Sequence, residues 1–307
     1  MGSTRSQRLA ALRRARRRQV ATRIALAAGV AVAAVVAIIV VRSSGGDGET
    51  IDAGAGGLTG GDFHSIVVDP ADPQRIYVGG HQAVSVSEDG GTTWTEISSL
   101  RDADAMGWAF TDEGIFVSGH PGLNHSADEG VTFRRTNDRL PHTDLHALGG
   151  AGDVLYAAGP GVGVIARSGL DGSWDQRTDQ TGHAFFGRIA VDPDDTDRLV
   201  AADASTGVTA SDDGGRTWRA VPSGLASATW LSTSSVGDEV VLVASGPDGA
   251  VRSTDGGRTW EPLDLPAGGS LVEASPEDPD TLFAGIHDGD RVGVAVSRDA
   301  GVTWAPP

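Results

Sequence analysis

The chain has 307 residues, with 24 basic side chains, 41 acidic side chains and no cysteine. The lack of cysteine excludes disulfide bonds, thiolate metal sites and cysteine nucleophiles. Nine arginines lie in residues 1–42, which hold no acidic residue, so residues 43–307 carry a net charge of −26 from 15 arginines and 41 acidic side chains. The net negative charge of residues 43–307 argues against nucleic-acid binding, because phosphate contacts need a basic surface.

The first 61 residues predict a membrane anchor followed by a tether. Residues 1–23 are rich in arginine, and residues 24–41 are uncharged and almost all apolar, which is long enough for one transmembrane helix. The positive-inside rule then predicts a single-pass protein of the cell membrane, with residues 1–23 in the cytoplasm and the rest outside it. A cleaved signal peptide is the alternative, although its apolar core is usually shorter. Residues 42–61 are rich in Gly and Ser and predict a flexible linker.

Residues 62–307 contain an octapeptide that recurs about every 42 residues. The copies are SEDGGTTW at 87–94, SADEGVTF at 126–133, a shorter SGLDGSW at 168–174, SDDGGRTW at 211–218, STDGGRTW at 253–260 and SRDAGVTW at 297–304. The aspartate of each copy can accept hydrogen bonds from a tight turn, and its glycine can adopt positive φ. Three short apolar runs precede each copy, so each unit predicts four antiparallel strands.

The octapeptide resembles the Asp box, or BNR motif, and residues 62–307 resemble the Asp-box β-propeller superfamily of sialidase and Vps10 type. DLHAL at 144–148, GHP at 119–121 and the VDPxDP segments resemble bacterial membrane-anchored BNR-repeat proteins described as glycosyl hydrolase-like. The resemblance implies an all-β fold, and the six units predict a six-bladed propeller of four-stranded antiparallel blades, preceded by the transmembrane helix. In this superfamily the boxes are structural turns remote from the binding face. The corresponding aspartates are Asp89, Asp128, Asp171, Asp213, Asp255 and Asp299.

Seven of the eight histidines are predicted to share one face of the propeller, because they begin first strands or lie in loops at the same end of the blades. The residues expected to meet near the central channel and bind a ligand are His64, His81, Met106, His120 and His146. Imidazole and thioether donors suit copper, or zinc with a carboxylate from Asp104 or Asp144, which makes His81, His120 and His146 candidate metal ligands. Binding of a polar ligand and unrelated loop histidines are the alternatives.

Two charged residues interrupt apolar strand patterns and are predicted to line the channel. Arg188 opens GRIAV and is a further candidate for ligand binding, whereas Glu273 lies in SLVEASP. The alternative for each is a solvated or paired residue of the channel wall.

The expected function is non-catalytic: a membrane-anchored, extracytoplasmic propeller that binds a glycan, a metal or a protein partner on its histidine-bearing face. Sialidase chemistry is disfavoured, since it needs an arginine triad and a tyrosine nucleophile, whereas Tyr77 and Tyr156 fall at packing positions. One alternative is a glycoside hydrolase that uses a carboxylate pair drawn from Asp104, Asp144 and Glu273. Another is a propeller that binds copper or zinc.

Overall fold

The computed structural model describes residues 50–51, 58–59, 61–179, 182–236, 239–288 and 291–307. Within these ranges the chain forms 24 β-strands and one short 3₁₀ helix, Ser98–Leu100. Successive strands are joined mostly by tight turns and pair in antiparallel fashion. The all-β prediction is confirmed for this part of the chain.

The first two sheets come from residues 50–135. The first sheet consists of β1 (Thr50–Ile51), β2 (Ser65–Asp69), β3 (Asp72–Gly79), β4 (Val84–Ser87) and β5 (Trp94–Glu96), in the order β1-β5-β4-β3-β2. The second sheet consists of β6 (Gly107–Thr111), β7 (Gly114–Gly119), β8 (Gly122–Ser126) and β9 (Arg134–Arg135), paired in chain order. Because β1 pairs with β5, the first described strand lies on the outer edge of its sheet.

The third sheet has eight strands. They are β10 (Ala147–Ala151), β11 (Val154–Gly159), β12 (Gly163–Ser168), β13 (Asp175–Thr178), β14 (Phe185–Val191), β15 (Leu199–Asp203), β16 (Gly207–Ser211) and β17 (Arg219–Val221). Strands β10 and β14 pair in parallel, with Ala147 opposite Gly187 and Leu148 opposite Arg188. This pairing joins two antiparallel groups of four strands into one sheet.

The last two sheets come from residues 230–305. The fourth sheet consists of β18 (Trp230–Val236), β19 (Glu239–Gly246), β20 (Gly249–Ser253) and β21 (Glu261–Leu263). The fifth consists of β22 (Gly269–Ala274), β23 (Leu282–Asp288) and β24 (Arg291–Ser297). A single antiparallel bridge between Val296 and Ala305 extends the fifth sheet.

The prediction of six separate four-stranded blades is wrong. The described strands form five hydrogen-bonded sheets, with five, four, eight, four and three strands in chain order. The physical reason is the parallel contact between β10 and β14, together with the extra edge strand β1, which the repeat spacing does not encode. The innermost strands still follow one another around a centre, and β22 packs against β2. This closed ring is the arrangement of a β-propeller.

Among the residues that the structure describes, no helix has the length and apolarity needed to cross a bilayer. The predicted span at 24–41, the predicted tail at 1–23 and most of the predicted linker at 42–61 lie outside the described residues. The prediction that a transmembrane helix precedes the propeller is corrected on this finding. So is the predicted single-pass, extracytoplasmic localisation, while nothing in the described residues directly supports the predicted membrane partner.

Apolar side chains pack between neighbouring sheets and form the core. Trp108 of β6 is fully buried, and its ring lies 5.0 Å from that of Tyr77 of β3. The Trp108 indole N–H donates a hydrogen bond of 2.9 Å to the Ser65 hydroxyl at the start of β2. Aromatic residues of the repeat thus hold the first and second sheets together, and Tyr77 has the packing role that the sequence predicts.

Five of the six Asp boxes build the same hydrogen-bonded turn. In the box at 211–218, the Ser211 hydroxyl donates to Asp213 over 2.8 Å and accepts the Gly215 N–H over 2.9 Å. Asp213 accepts both the N–H and the hydroxyl of Thr217, over 2.9 and 2.6 Å. The boxes that begin at Ser87, Ser126, Ser253 and Ser297 repeat these contacts.

These contacts favour the ionised aspartate. At the second box, the hydroxyl and N–H of Thr132 and the hydroxyl of Ser126 lower the pKa of Asp128 to about 2. The shorter copy at 168–174 differs, because within the described contacts Asp171 offers only its backbone carbonyl, to Arg139. Asp171 is predicted to be a structural box residue, but within the described contacts it lacks the hydrogen-bond network that its five counterparts form.

We expect Ser211→Ala to lower the free energy of unfolding by about 1–3 kcal/mol, because it leaves the buried Gly215 N–H without an acceptor. Urea denaturation of the two proteins measures the difference. Ser205→Ala is the matched control, since Ser205 is exposed, and it is expected to change stability by less than about 0.5 kcal/mol. Equal stability of Ser211→Ala and wild type would contradict the structural role of the box.

Candidate functional site

Seven imidazole and carboxylate side chains form a continuous arc across the first three sheets. We call this set the histidine–aspartate cluster, and its members are Asp62, His64, His81, Asp104, His120, Asp144 and His146. Each lies just before β2, β6 or β10, or in the turn that joins β3 to β4 or β7 to β8. These positions share one end of the propeller, so residues far apart in sequence meet there.

One end of the cluster comes from the first sheet. The Asp62 carboxylate lies between two imidazoles, with Oδ2 3.1 Å from Nε2 of His64 and 2.5 Å from Nδ1 of His81. The two rings are in edge-to-face contact, with centroids 4.2 Å apart. His64 is mostly buried, whereas His81 and Asp62 are about half exposed.

Asp104 lies in the middle of the cluster and is only 4% exposed. Its Oδ1 is 2.9 Å from Nδ1 of His64 and 3.7 Å from Nε2 of His81, while its Oδ2 is 2.5 Å from Nδ1 of His120. Neither oxygen receives a well-directed hydrogen bond within the described residues. Asp104 also has a φ of 52°, a backbone conformation that non-glycine residues seldom adopt away from functional sites and turns.

The other end of the cluster comes from the second and third sheets. Asp144 Oδ1 lies 2.8 Å from Nε2 of His146 and 3.5 Å from Nε2 of His120. The two Nε2 atoms are themselves 3.2 Å apart, so three potential donors to one ion converge here. The Phe186 ring covers the outer side of His146, with centroids 4.9 Å apart.

Burial and charge act in opposite directions on these groups. Burial alone would lower the pKa of His64, but the carboxylates of Asp104 and Asp62 outweigh it and raise the pKa above its ordinary value. Burial lowers the pKa of His146, and Asp144 only partly offsets this. Burial would raise the pKa of Asp104, but the surrounding imidazoles hold it below its ordinary value. Asp104 is therefore ionised, and His146 favours the neutral form that can bind a metal.

The cluster offers three overlapping groups of metal-ligating atoms. They are Asp62 with His64 and His81, His81 with Asp104 and His120, and His120 with Asp144 and His146. Within each group the ligand atoms lie within 4.8 Å of one another. Tetrahedral zinc holds N and O ligands roughly 3.3–3.5 Å apart, a spacing that small side-chain movements would give here.

The structure brings together most of the residues that the sequence places at this site. His64, His81, His120 and His146 meet, with the two carboxylates proposed to join them. The candidate ligand Met106 immediately precedes β6, two residues after Asp104, and is partly buried. Sequence reasoning missed Asp62 and Phe186. The GDFHS segment gave a signal for Asp62, which is two residues from His64.

Gly187 creates a bulge in β14 that separates the roles of its two neighbours. Its φ is 67°, and a Cβ at this position would lie 2.6 Å from the Trp230 ring. The preceding Phe186 contacts His146, whereas the following Arg188 turns to a different partner. Arg188, which the sequence predicts as a channel residue and a candidate for ligand binding, is therefore not a member of the histidine–aspartate cluster.

Arg188 pairs with Glu273 of the fifth sheet, with Nη1 and Oε1 3.0 Å apart. The Trp230 indole N–H donates to the other Glu273 oxygen over 3.3 Å. Burial raises the pKa of Glu273 to about 7, although Arg188 opposes the shift. A carboxyl that is 1% exposed and paired in this way fits the alternative of a paired channel residue.

The remaining histidines lie outside the cluster. The His183 Nδ1–H group donates to the buried Asp203 carboxylate over 2.7 Å, and Asp203 also accepts the N–H groups of Ala184 and Ser205. Asp203 is thus a satisfied structural carboxylate, unlike Asp104. His125 stacks on a phenylalanine, and both His142 and His287 are exposed.

A separate cleft of about 1000 Å³ lies between the third and fourth sheets. Its wall includes Arg198, Arg219, Arg258, Leu242 and Trp260, and no member of the histidine–aspartate cluster. Two of the arginines contact Asp212 at the cleft, so their charges are partly compensated. The converging donor atoms of the cluster make it the stronger candidate for a site.

Comparisons with known proteins support the repeat and the fold. The family model of the BNR/Asp-box repeat matches residues 251–262, which contain the box at 253–260. No curated protein matches the chain.

Solved structures with the same fold have diverse functions. A GH74 xyloglucanase from Xanthomonas campestris is 19% identical, with a TM-score of 0.56 over 82% of this chain and 46% of the enzyme. This chain therefore spans less than half the length of that enzyme. A chain of the nidogen/laminin complex is 13% identical, with a TM-score of 0.59 over 76% of this chain and 93% of that one.

A third similar structure is the Pan2 WD40 domain from Neurospora crassa, which is 14% identical, with a TM-score of 0.53 over 81% of this chain and 80% of that domain. At such identities these likenesses establish the fold alone. Together, the matched repeat, the five hydrogen-bonded boxes and these folds support a β-propeller that carries BNR/Asp-box repeats.

Proposed function

We propose that this protein is a non-catalytic propeller that binds zinc on its histidine-bearing face. The observation that carries the proposal is Asp104, an ionised carboxylate almost completely buried beneath imidazoles, with no well-directed hydrogen bond to either oxygen. The imidazoles of His64 and His120 offset part of the cost of burying this charge, and a bound cation would offset it further. Asp203 supports this reasoning, because backbone N–H groups satisfy it where no cluster surrounds it.

The donor set selects the class of metal. Four imidazoles with three carboxylates suit zinc and other borderline transition metals, whereas calcium and magnesium take oxygen ligands. Copper(I) prefers thiolate and thioether sulfur, and the chain has no cysteine. The described donors therefore suit zinc and copper(II), and we propose zinc as the bound metal.

Two of the cluster imidazoles are exposed, so an ion in solution can reach the converging donor atoms. The side chains of His81 and His120 are 47% and 49% exposed, while Asp104 beneath them is buried. An ion can enter from solvent past the two exposed imidazoles and reach the buried carboxylate. A half-exposed ion would keep a coordination position for a small ligand or for a side chain of a protein partner.

The contacts of the candidate carboxylates do not favour the glycoside hydrolase alternative. Glu273 is enclosed and paired with Arg188, so it does not face open solvent. The imidazole of His120 lies between Asp104 and Asp144 and contacts both. Glycoside hydrolysis needs two carboxyl groups that flank an open sugar-binding space, and these three residues do not provide it in their described positions.

Zinc binding to the full chain tests the proposal. The protein is purified without a histidine tag, stripped with chelator, dialysed against zinc and measured by elemental analysis. We expect at least one zinc ion per chain in wild type and a loss of at least one ion in the His81→Ala/His120→Ala variant. His287→Ala is the control, because it removes an exposed histidine that lies outside the cluster. Wild type without zinc, or equal loss in both variants, would overturn the proposal.

A further inference from the structure

We infer that the histidine–aspartate cluster holds two metal ions and that the Asp104 carboxylate bridges them. The inference rests on the proposed zinc-binding function and specifies how its donors are shared. It follows from the division of the donors and the direction of the Asp104 oxygens.

The three overlapping groups cannot all be filled at once. His81 and His120 each belong to two groups, so the three groups compete for the same imidazoles. If each residue serves one ion, the seven side chains divide into two end groups of three with Asp104 left between them. One end group is Asp62, His64 and His81, and the other is His120, Asp144 and His146.

The spacing of the rings follows the same division. The His64 and His81 centroids are 4.2 Å apart, and those of His120 and His146 are 5.2 Å apart. The longest step, 6.2 Å, separates His81 from His120. The imidazoles therefore form two pairs, and Asp104 contacts both.

The two oxygens of Asp104 face opposite ends of the cluster. Oδ1 lies beside His64 and His81, whereas Oδ2 lies 2.5 Å from His120. A carboxylate that offers one oxygen to each of two donor groups is arranged as a bridging ligand. The left-handed backbone at Asp104 holds the carboxylate in this central position.

The charge of the set is compatible with two ions. When the imidazoles bind metal in their neutral form, the three carboxylates carry three negative charges, so one divalent ion leaves a single negative charge and two leave a single positive charge. A single ion at one end would also leave the carboxylate of the other end among imidazoles alone. Two ions give every member of the cluster a cation to bind.

The test counts ions in the full-length protein and asks whether they are coupled. We expect two zinc ions per chain in wild type, measured by chelator competition and elemental analysis. We expect one ion in His64→Ala/His81→Ala and one in His120→Ala/His146→Ala. In wild type loaded with copper(II) alone, we expect an electron paramagnetic resonance signal of two spin-coupled ions, and in either variant that of an isolated ion.

The outcomes separate this inference from the proposed function. One zinc ion per chain in wild type would overturn the two-ion site and leave zinc binding intact, whereas no zinc would overturn both. Two ions without spin coupling would overturn the bridge. The copper signal is measured on wild type, so it remains decisive even if circular dichroism shows that a variant is unfolded.

Discussion

Asp104→Asn is expected to weaken zinc binding at least about a hundredfold, because it removes the one charge that contacts imidazoles of both halves of the cluster. Asparagine keeps the size of the side chain and tolerates positive φ well, so the backbone can keep its conformation. Competition titration with a chromophoric chelator measures the affinity of the stripped full-length protein.

Asp102→Asn is a close control for this substitution. Asp102 lies two residues away, has a φ of 56° and is exposed, and it is not a member of the cluster. Its variant is expected to bind zinc like wild type. Asp104→Asn with wild-type affinity would contradict a ligand role for Asp104, whereas equal weakening in both variants would indicate a general effect on the loop.

Glu273→Gln is expected to change the pH dependence of stability. Burial raises the pKa of Glu273 in the folded protein from an ordinary 4.5 to about 7, so the unfolded chain releases this proton first as the pH rises. The ionisation of Glu273 therefore lowers the free energy of unfolding of wild type as the pH rises from about 4.5 to about 7. The glutamine variant has no ionisable group at this position, so its stability does not fall for this reason. The shift corresponds to an advantage for the variant on the order of 3 kcal/mol at pH 8 relative to pH 4.5.

Urea denaturation of both proteins at several pH values between 4.5 and 8 measures this difference. The two are expected to have similar stability at pH 4.5, where Glu273 is protonated, and to separate above pH 6. Glu261→Gln changes an exposed residue of the fourth sheet and serves as the control, with a curve parallel to that of wild type. Parallel curves for Glu273→Gln as well would contradict the raised pKa.

The repeat predicts local structure well because each unit encodes its own strands and turn. Ser211 and Asp213 need only the next few residues to form their network, so the octapeptide suffices to predict it. The parallel contact of Ala147 with Gly187 joins strands of different units through backbone atoms. No residue type encodes such a contact, so the sequence did not reveal the eight-stranded sheet.

For the site too, the repeat predicts where along a unit each residue lies, but not which residues of different units contact one another. The phase of the repeat was enough to place His81 and His120 at one end of the propeller. It did not reveal that Asp104 lies in the middle of the cluster, because the repeat does not encode the left-handed backbone conformation at this residue. Nor did it reveal that Arg188 and Glu273, 85 residues apart in sequence, form a pair with each other.

The contact between β22 and β2 affects how the chain must fold during synthesis. Ile66 and Val67 of the first sheet share one apolar core with Leu271 and Phe283 of the fifth, and the Phe63 ring lies against Gly285. The ribosome therefore releases the first sheet long before the partner that covers it. Until residues 269–297 emerge, this apolar face stays open to other chains, and a translation product that stops earlier keeps an aggregation-prone surface.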